Sequence, residues 1–240
     1  MKNFIKTIIT LFCCIIFVSS CAKEKKSSSA ENSYIEAMKK LKDNDYTAAA
    51  ESFEKINDEF PLSKWGIKGQ TMAAYSFYKE EKYSDVVRIA EDFNRNNPSN
   101  SDVAYMQYLK SLSYYNQIND IQRAQDNASY ASYSFRELIA KFPMSIYSDD
   151  SRDKLTLVDE HIAGAKMSVG RYQLLTGNYV GAVKNFQEVI DRHSRTNQAA
   201  EAYFRTFEAY KKIGLNQKAQ NYLQELNHIY PENKWSNKNN

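Results

Sequence analysis

Cysteine, histidine and paired carboxylates are the side chains in this sequence that could do chemistry, and their spacing argues against most of it. His161, His193 and His228 are widely separated along the chain. No His-Glu-x-x-His occurs and no second ligand sits at helical spacing, so no metal site is expected and each histidine reads as a surface or packing residue. Asp149-Asp150 and Asp159-Glu160 are adjacent acidic pairs. They fall at an expected helix start and on an expected exposed face, where an acid near a helix N-terminus compensates the dipole. Neither a Gly-rich phosphate loop nor a nucleophile elbow is present in the sequence, which leaves no catalytic residue and no cofactor to expect. The chain therefore reads as a non-enzyme.

The cysteines carry a different chemistry. Lys2 and Lys6 precede an almost unbroken apolar run from Ile8 to Val18, followed by Ser19, Ser20 and Cys21. A basic start, an apolar run of about 7–15 residues and small residues at its end read as a secretory signal. The run is shorter than the roughly 20 residues a membrane-spanning helix needs. Val18-Ser19-Ser20-Cys21 resembles the lipobox of bacterial lipoproteins. That resemblance implies lipid on Cys21 as the mature N-terminus, and Lys23 rather than Asp at the second position after it implies the outer membrane. An ordinary cleaved signal with an incidental cysteine is the alternative. Cys13 and Cys14 lie inside the signal, so Cys21 alone would remain and no internal disulfide could form.

Residues 1–20 contain two lysines and no acid, so the remainder carries a formal balance of about +1. Such neutrality excludes the strong basic excess of a nucleic-acid binder. Only 7 Gly and 4 Pro in 240 residues favour long helices with short connections. The stretch 22–31 is rich in Ser and Lys and has no apolar periodicity, which marks a flexible tether. Lys23, Lys25 and Lys26 are available there to anionic headgroups.

The informative signal is an internal repeat. Tyr46, Ala49, Phe53, Ile56 and Pro61 recur at the same offsets as Tyr83, Val86, Ala90, Phe93 and Pro98. Tyr179, Ala182, Phe186 and Val189 repeat them, with Ser194 in the Pro slot. Ala131, Phe135, Leu138 and Pro143 match without the leading Tyr, and Asn216, Ala219, Leu223, Leu226 and Pro231 form a weaker copy. Offsets of three and four put these residues on one helix face. The small residue admits a partner helix, the aromatic fills the space beside it, and Pro ends the helix. A second helix is expected before each, with turns at Asp43-Asn44-Asp45, Glu80-Glu81-Lys82, Thr176-Gly177-Asn178 and Gly214. Between Tyr147 and Leu175 there is no Pro and no clear turn. One long helix is expected there, a break at Gly164 being the alternative.

This arrangement resembles the tetratricopeptide repeat, most clearly over Thr176-Gly177-Asn178-Tyr179-Val180-Gly181-Ala182. The expected fold is all-α, a right-handed α-solenoid of about five tetratricopeptide-like helix pairs. The expected organisation is a signal over 1–20, lipidated Cys and tether over 21–31, N-terminal repeats with the connecting helix over 32–165, and C-terminal repeats over 166–240.

Several strings resemble one family more closely, the BamD family of outer-membrane β-barrel assembly lipoproteins. They include Phe60-Pro61-Leu62-Ser63-Lys64-Trp65, Ala73 to Lys79, Asp102 to Leu112, and Phe142-Pro143-Met144-Ser145-Ile146-Tyr147 leading into the long helix. The insertion near 116–127 also falls where that family has one. The resemblance spans about residues 18–231. It implies a scaffold on the periplasmic face of the outer membrane that docks on the BamA-like barrel subunit, works with other assembly lipoproteins and receives unfolded outer-membrane proteins. It implies a substrate groove in the N-terminal repeats, for which repeat register offers Tyr34, Met38, Tyr75 and Tyr78; packing of these rings between repeats is the alternative. It implies a dock for the barrel subunit on the C-terminal repeats, for which Lys184, Asn185 and Glu188 lie off the face defined by Ala182, Phe186 and Val189. Family members often carry Arg where this chain has Asn185, and neighbouring Lys184 is the cation available to replace it. Another periplasmic tetratricopeptide adaptor, of the kind tied to division or envelope integrity, is the alternative function; the coiled coil and soluble signal usual in those are not visible in this sequence.

Overall fold

A computed structural model describes residues 29–118 and 125–236. Cys21, the expected signal and most of the expected tether lie outside the described residues. Among the described residues there are ten helices and no strand. They are α1 (described over 29–42), α2 (Tyr46–Glu59), α3 (Lys64–Lys79), α4 (Tyr83–Asn96), α5 (Val103–Asn116), α6 (Gln125–Lys141), α7 (Ser148–Leu175), α8 (Tyr179–Arg192), α9 (Ala199–Ile213) and α10 (Asn216–Ile229). The fold is the all-α helix-pair architecture that the repeat predicts.

The inner-face repeat positions pack as their spacing predicts. Ala49, Phe53 and Ile56, then Val86, Ala90 and Phe93, then Ala131, Phe135 and Leu138, then Ala182, Phe186 and Val189 are all buried. In α10, Ala219 and Leu226 are buried and Leu223 packs against them. Full burial of each phenylalanine contributes about 1.5–3 kcal/mol. These helices also end alike. The backbone N–H of Phe60, Asn97, Phe142, His193 and Tyr230 each donates to a carbonyl four residues back, and Pro follows in four of the five cases.

Four turns inside the pairs share one conformation among the described residues. Asn44, Glu81, Gly177 and Gly214 all have positive φ, between 58° and 84°. Each precedes its Pro-slot residue by the same interval along the chain. Side chains cap the starts of α2, α3 and α8: Asp45 accepts from the N–H of Ala48, Ser63 from Gly66, and Asn178 from Gly181. Such caps satisfy backbone donors that a helix start leaves open.

α7 runs unbroken for 28 residues, about 42 Å at helical rise. Gly164 lies inside it with no atom within 4 Å of where a Cβ would stand, so nothing there demands a break. The chain divides into two compact units, the first ending at Ser113 and the second beginning at Tyr114. The boundary at 165/166 read from the repeats lies within α7. In the first unit α1, α2, α3 and α4 pack in succession; in the second α6 to α10 do so, and α7 also touches α9. The second unit is closed after α10 by Trp235, whose ring lies 5.3 Å from that of Phe204 and 5.0 Å from the Arg205 guanidinium.

Candidate interaction sites

In the first unit the expected groove residues lie on α1 and α3, and all four are half-buried. Tyr34 stands between helices, its ring 5.4 Å from Phe53 and 5.0 Å from Trp65. Burial, and secondarily the charge of Asp102, push its phenol above the ordinary tyrosine range. Tyr78 meets the Tyr83 ring edge-on at 5.9 Å. Tyr34 and Tyr78 thus pack against neighbouring rings, and all four residues keep partial exposure.

In the second unit, the three positions expected to face a partner diverge. Lys184 is exposed. Asn185 is half-buried, and its amide donates to Gln173 Oε1 on α7 at 2.9 Å and to the Gly181 carbonyl at 3.1 Å. Glu188 pairs with Lys166 on α7 at 2.9 Å. Asn185 and Glu188 therefore join α8 to α7, because α8 packs on both α7 and α9 and its buried arc is wider than the three repeat positions alone define.

A cavity of about 610 Å³ opens between α6, α7 and α8. Two histidines that are distant in sequence, His161 and His193, line it with Arg136, Lys166, Glu188 and Arg192. Beside it lies a polar network. Ser132 Oγ on α6 donates to Asp159 Oδ1 on α7 at 3.0 Å, and Arg136 pairs with the other oxygen of the same carboxylate. His193, at the end of α8, brings Nδ1 to 3.3 Å from Asp159 Oδ1 without alignment for a hydrogen bond. Burial alone would raise the Asp159 carboxyl. His193, Arg136 and Ser132 outweigh that and hold it below the usual carboxylate range. Glu160, next along α7, accepts the backbone N–H of Asn197 at 2.6 Å.

Ser132, Asp159 and His193 are the residue types of a hydrolytic triad, but their order is wrong for one. The hydroxyl donates to the carboxylate, and the imidazole approaches that same carboxylate rather than the hydroxyl. A nucleophile needs its base within reach of its own proton. The network instead joins three helices through one shared anion. The acidic pair Asp159-Glu160, expected on an exposed face, is engaged between helices. Its position beside the apolar stripe of Leu155, Val158 and Ile162 is the signal in the sequence, because a carboxylate set against an apolar face needs partners. No group of three or more His, Cys, Asp or Glu side chains able to hold a metal occurs among the described residues.

Successive antiparallel helix pairs with uniform turns, and polar side chains spent on joining helices, define a helix-repeat scaffold. Residues 26–226 match the family model YfiO, described as an outer membrane lipoprotein. The chain belongs to that family. It is 38% identical over 190 residues to the outer membrane protein assembly factor BamD of Rickettsia prowazekii, covering 79% of this chain and 76% of that protein. Against the protein of the same name from Caulobacter vibrioides it is 30% identical over 225 residues, covering 91% and 74%. Against that of Neisseria meningitidis serogroup A it is 28% identical over 214 residues, covering 85% and 80%.

Proposed function

We propose that this protein is a non-catalytic component of outer-membrane protein assembly, held on the periplasmic face of the outer membrane by lipid on Cys21. Its partners are the BamA-like barrel subunit and other assembly lipoproteins, and its cargo is unfolded outer-membrane proteins. The observation that carries this reading is family membership across residues 26–226, with relatives named as assembly factors over most of their length. The fold supports it, since stacked helix pairs offer extended surfaces for protein partners. The second unit is the dock for the barrel subunit, with Lys184 an exposed cation on it. The α1 and α3 aromatics of the first unit, Tyr75 foremost, receive extended segments of the cargo, since Tyr gives large contact area at low entropy cost.

The test is co-purification of the tagged full chain from detergent-solubilised membranes. A barrel-forming outer-membrane subunit with periplasmic domains is the expected companion. A preparation that instead carries division or envelope-integrity proteins, with no barrel subunit, rejects the assignment.

A further inference from the structure

α1 and α2 run antiparallel, so the start of α1 and the end of α2 share one end of the first unit. Ser33, Lys55 and Glu59 border one hollow between the two helices, and Lys40 reaches Ser52 nearer the other end. The turn between α2 and α3 follows directly at the α1-start end. It is tightly built. Ser63 N–H and Oγ both donate to the Phe60 carbonyl, at 3.0 and 2.9 Å, and Ser63 Oγ accepts from the N–H of Gly66 at 2.9 Å. A Cβ on Gly66 would lie 2.2 Å from the Phe60 oxygen, so the position has room only for glycine.

This rigid turn holds Leu62 outward with 96% of its surface exposed. An apolar side chain so fully presented by a fixed backbone gains from any apolar surface that covers it. Two cations follow it on the first turns of α3: the ammoniums of Lys64 and Lys68 lie 4.8 and 5.5 Å from the Trp65 ring centre. Glu59 on the same end is paired with Lys55 at 3.8 Å.

The length of chain before α1 says what can cover this end. Cys21 is eight residues before residue 29, where the described helix begins. Eight residues reach at most on the order of 30 Å. A lipid on Cys21 therefore keeps the end of the first unit that carries Leu62 near the bilayer. We infer that the Pro61-Leu62-Ser63-Lys64-Trp65 turn is a second membrane contact. Leu62 enters the interfacial region, and Lys64 and Lys68 meet anionic headgroups. The occupant is the lipid surface itself, and the inference rests on the anchor at Cys21 proposed above. Two weak contacts with one bilayer reinforce each other because the first fixes the effective concentration of the second. The consequence is orientation: the lipid alone leaves the unit free to turn, and the turn fixes which end faces the membrane.

The test uses the full lipidated protein in vesicles of phosphatidylethanolamine and phosphatidylglycerol. Leu62→Cys, and separately Asp43→Cys at the opposite end of the α1–α2 pair, carry an environment-sensitive fluorophore. The sulfur of lipidated Cys21 is blocked, so each probe has one site. The expected result is several-fold stronger quenching by nitroxide-bearing lipids at position 62 than at 43, with a blue-shifted emission at 62 alone. Adding Lys64→Glu and Lys68→Glu to the Leu62→Cys protein should reduce the quenching, and circular dichroism should show unchanged helicity. Equal quenching at both positions, or none at either while mass spectrometry finds the lipid on Cys21, overturns the inference and leaves the anchor standing. A mature protein without lipid overturns both.

Discussion

Gly170 on α7 lies so close to Phe186 on α8 that a Cβ there would stand 2.5 Å from Cε1 of the ring. Phe186 is fully buried. Gly170 is the contact that sets how near α7 and α8 approach.

Gly170→Ala should therefore destabilise the second unit by about 1–3 kcal/mol, the usual range for overpacking, despite the better helix propensity of Ala. Gly164→Ala, on the same helix with open space around it, should stabilise by about 0.5–1 kcal/mol. Urea denaturation of the two variants checks this. Opposite signs are expected, and equal effects would reject Phe186 as the cause.

The positive-φ turns give a second pair of opposed effects. Gly214 has φ 84° and no atom within 4 Å of where a Cβ would stand, so only its backbone conformation resists substitution. Gly214→Ala should cost about 1–2 kcal/mol. Glu81 occupies the matching place at φ 58°, and Glu81→Gly should be neutral to stabilising by up to about 1 kcal/mol as strain is released. Thermal denaturation should show a lowered midpoint for the first and not for the second.

Asp159 links stability to acid. Its folded carboxyl lies below the usual range, because His193, Arg136 and Ser132 outweigh the effect of burial. A depressed folded value means the ionised form stabilises the fold. That contribution is present above the ordinary carboxylate value of about 3.9 and is lost as pH falls through the folded value. Asp159→Asn should cost about 1–3 kcal/mol near neutral pH, as for loss of a charged hydrogen-bond partner. The gap between variant and wild type should narrow below about pH 4. A gap of constant size from neutral pH into that acid range would reject the linkage.

For docking of the barrel subunit, Lys184 and Asn185 should separate. Lys184→Ala removes an exposed charge and should weaken association by no more than about 1 kcal/mol, with little change in stability. Asn185→Ala leaves Gln173 Oε1 without its donor and should cost about 1 kcal/mol of fold stability. With Lys184 the one exposed residue of the three expected at the dock, affinity for the subunit's periplasmic domain should fall only modestly at high ionic strength. Calorimetric titration at low and high salt checks this. Loss of most affinity at high salt would show a charge-driven dock instead.

The repeat is legible in the sequence because its causes are local. Ala131, Phe135 and Leu138 reveal their shared face by offsets of four and three, and the same offsets identify Ala182, Phe186 and Val189. The places of the intrapair turns are equally readable, although Glu81 gives no compositional hint of its positive φ. What the sequence does not disclose depends on which helix comes to lie beside which. Asn185 reads as a surface residue when one buried stripe is counted, whereas α8 packs on two neighbours. Ser132, Asp159 and His193 have no common spacing and meet only because α6, α7 and α8 pack in succession around a cavity. Periodicity is a property of one helix, read along the chain. A shared carboxylate between three helices is a property of their packing, and only the tertiary structure decides it.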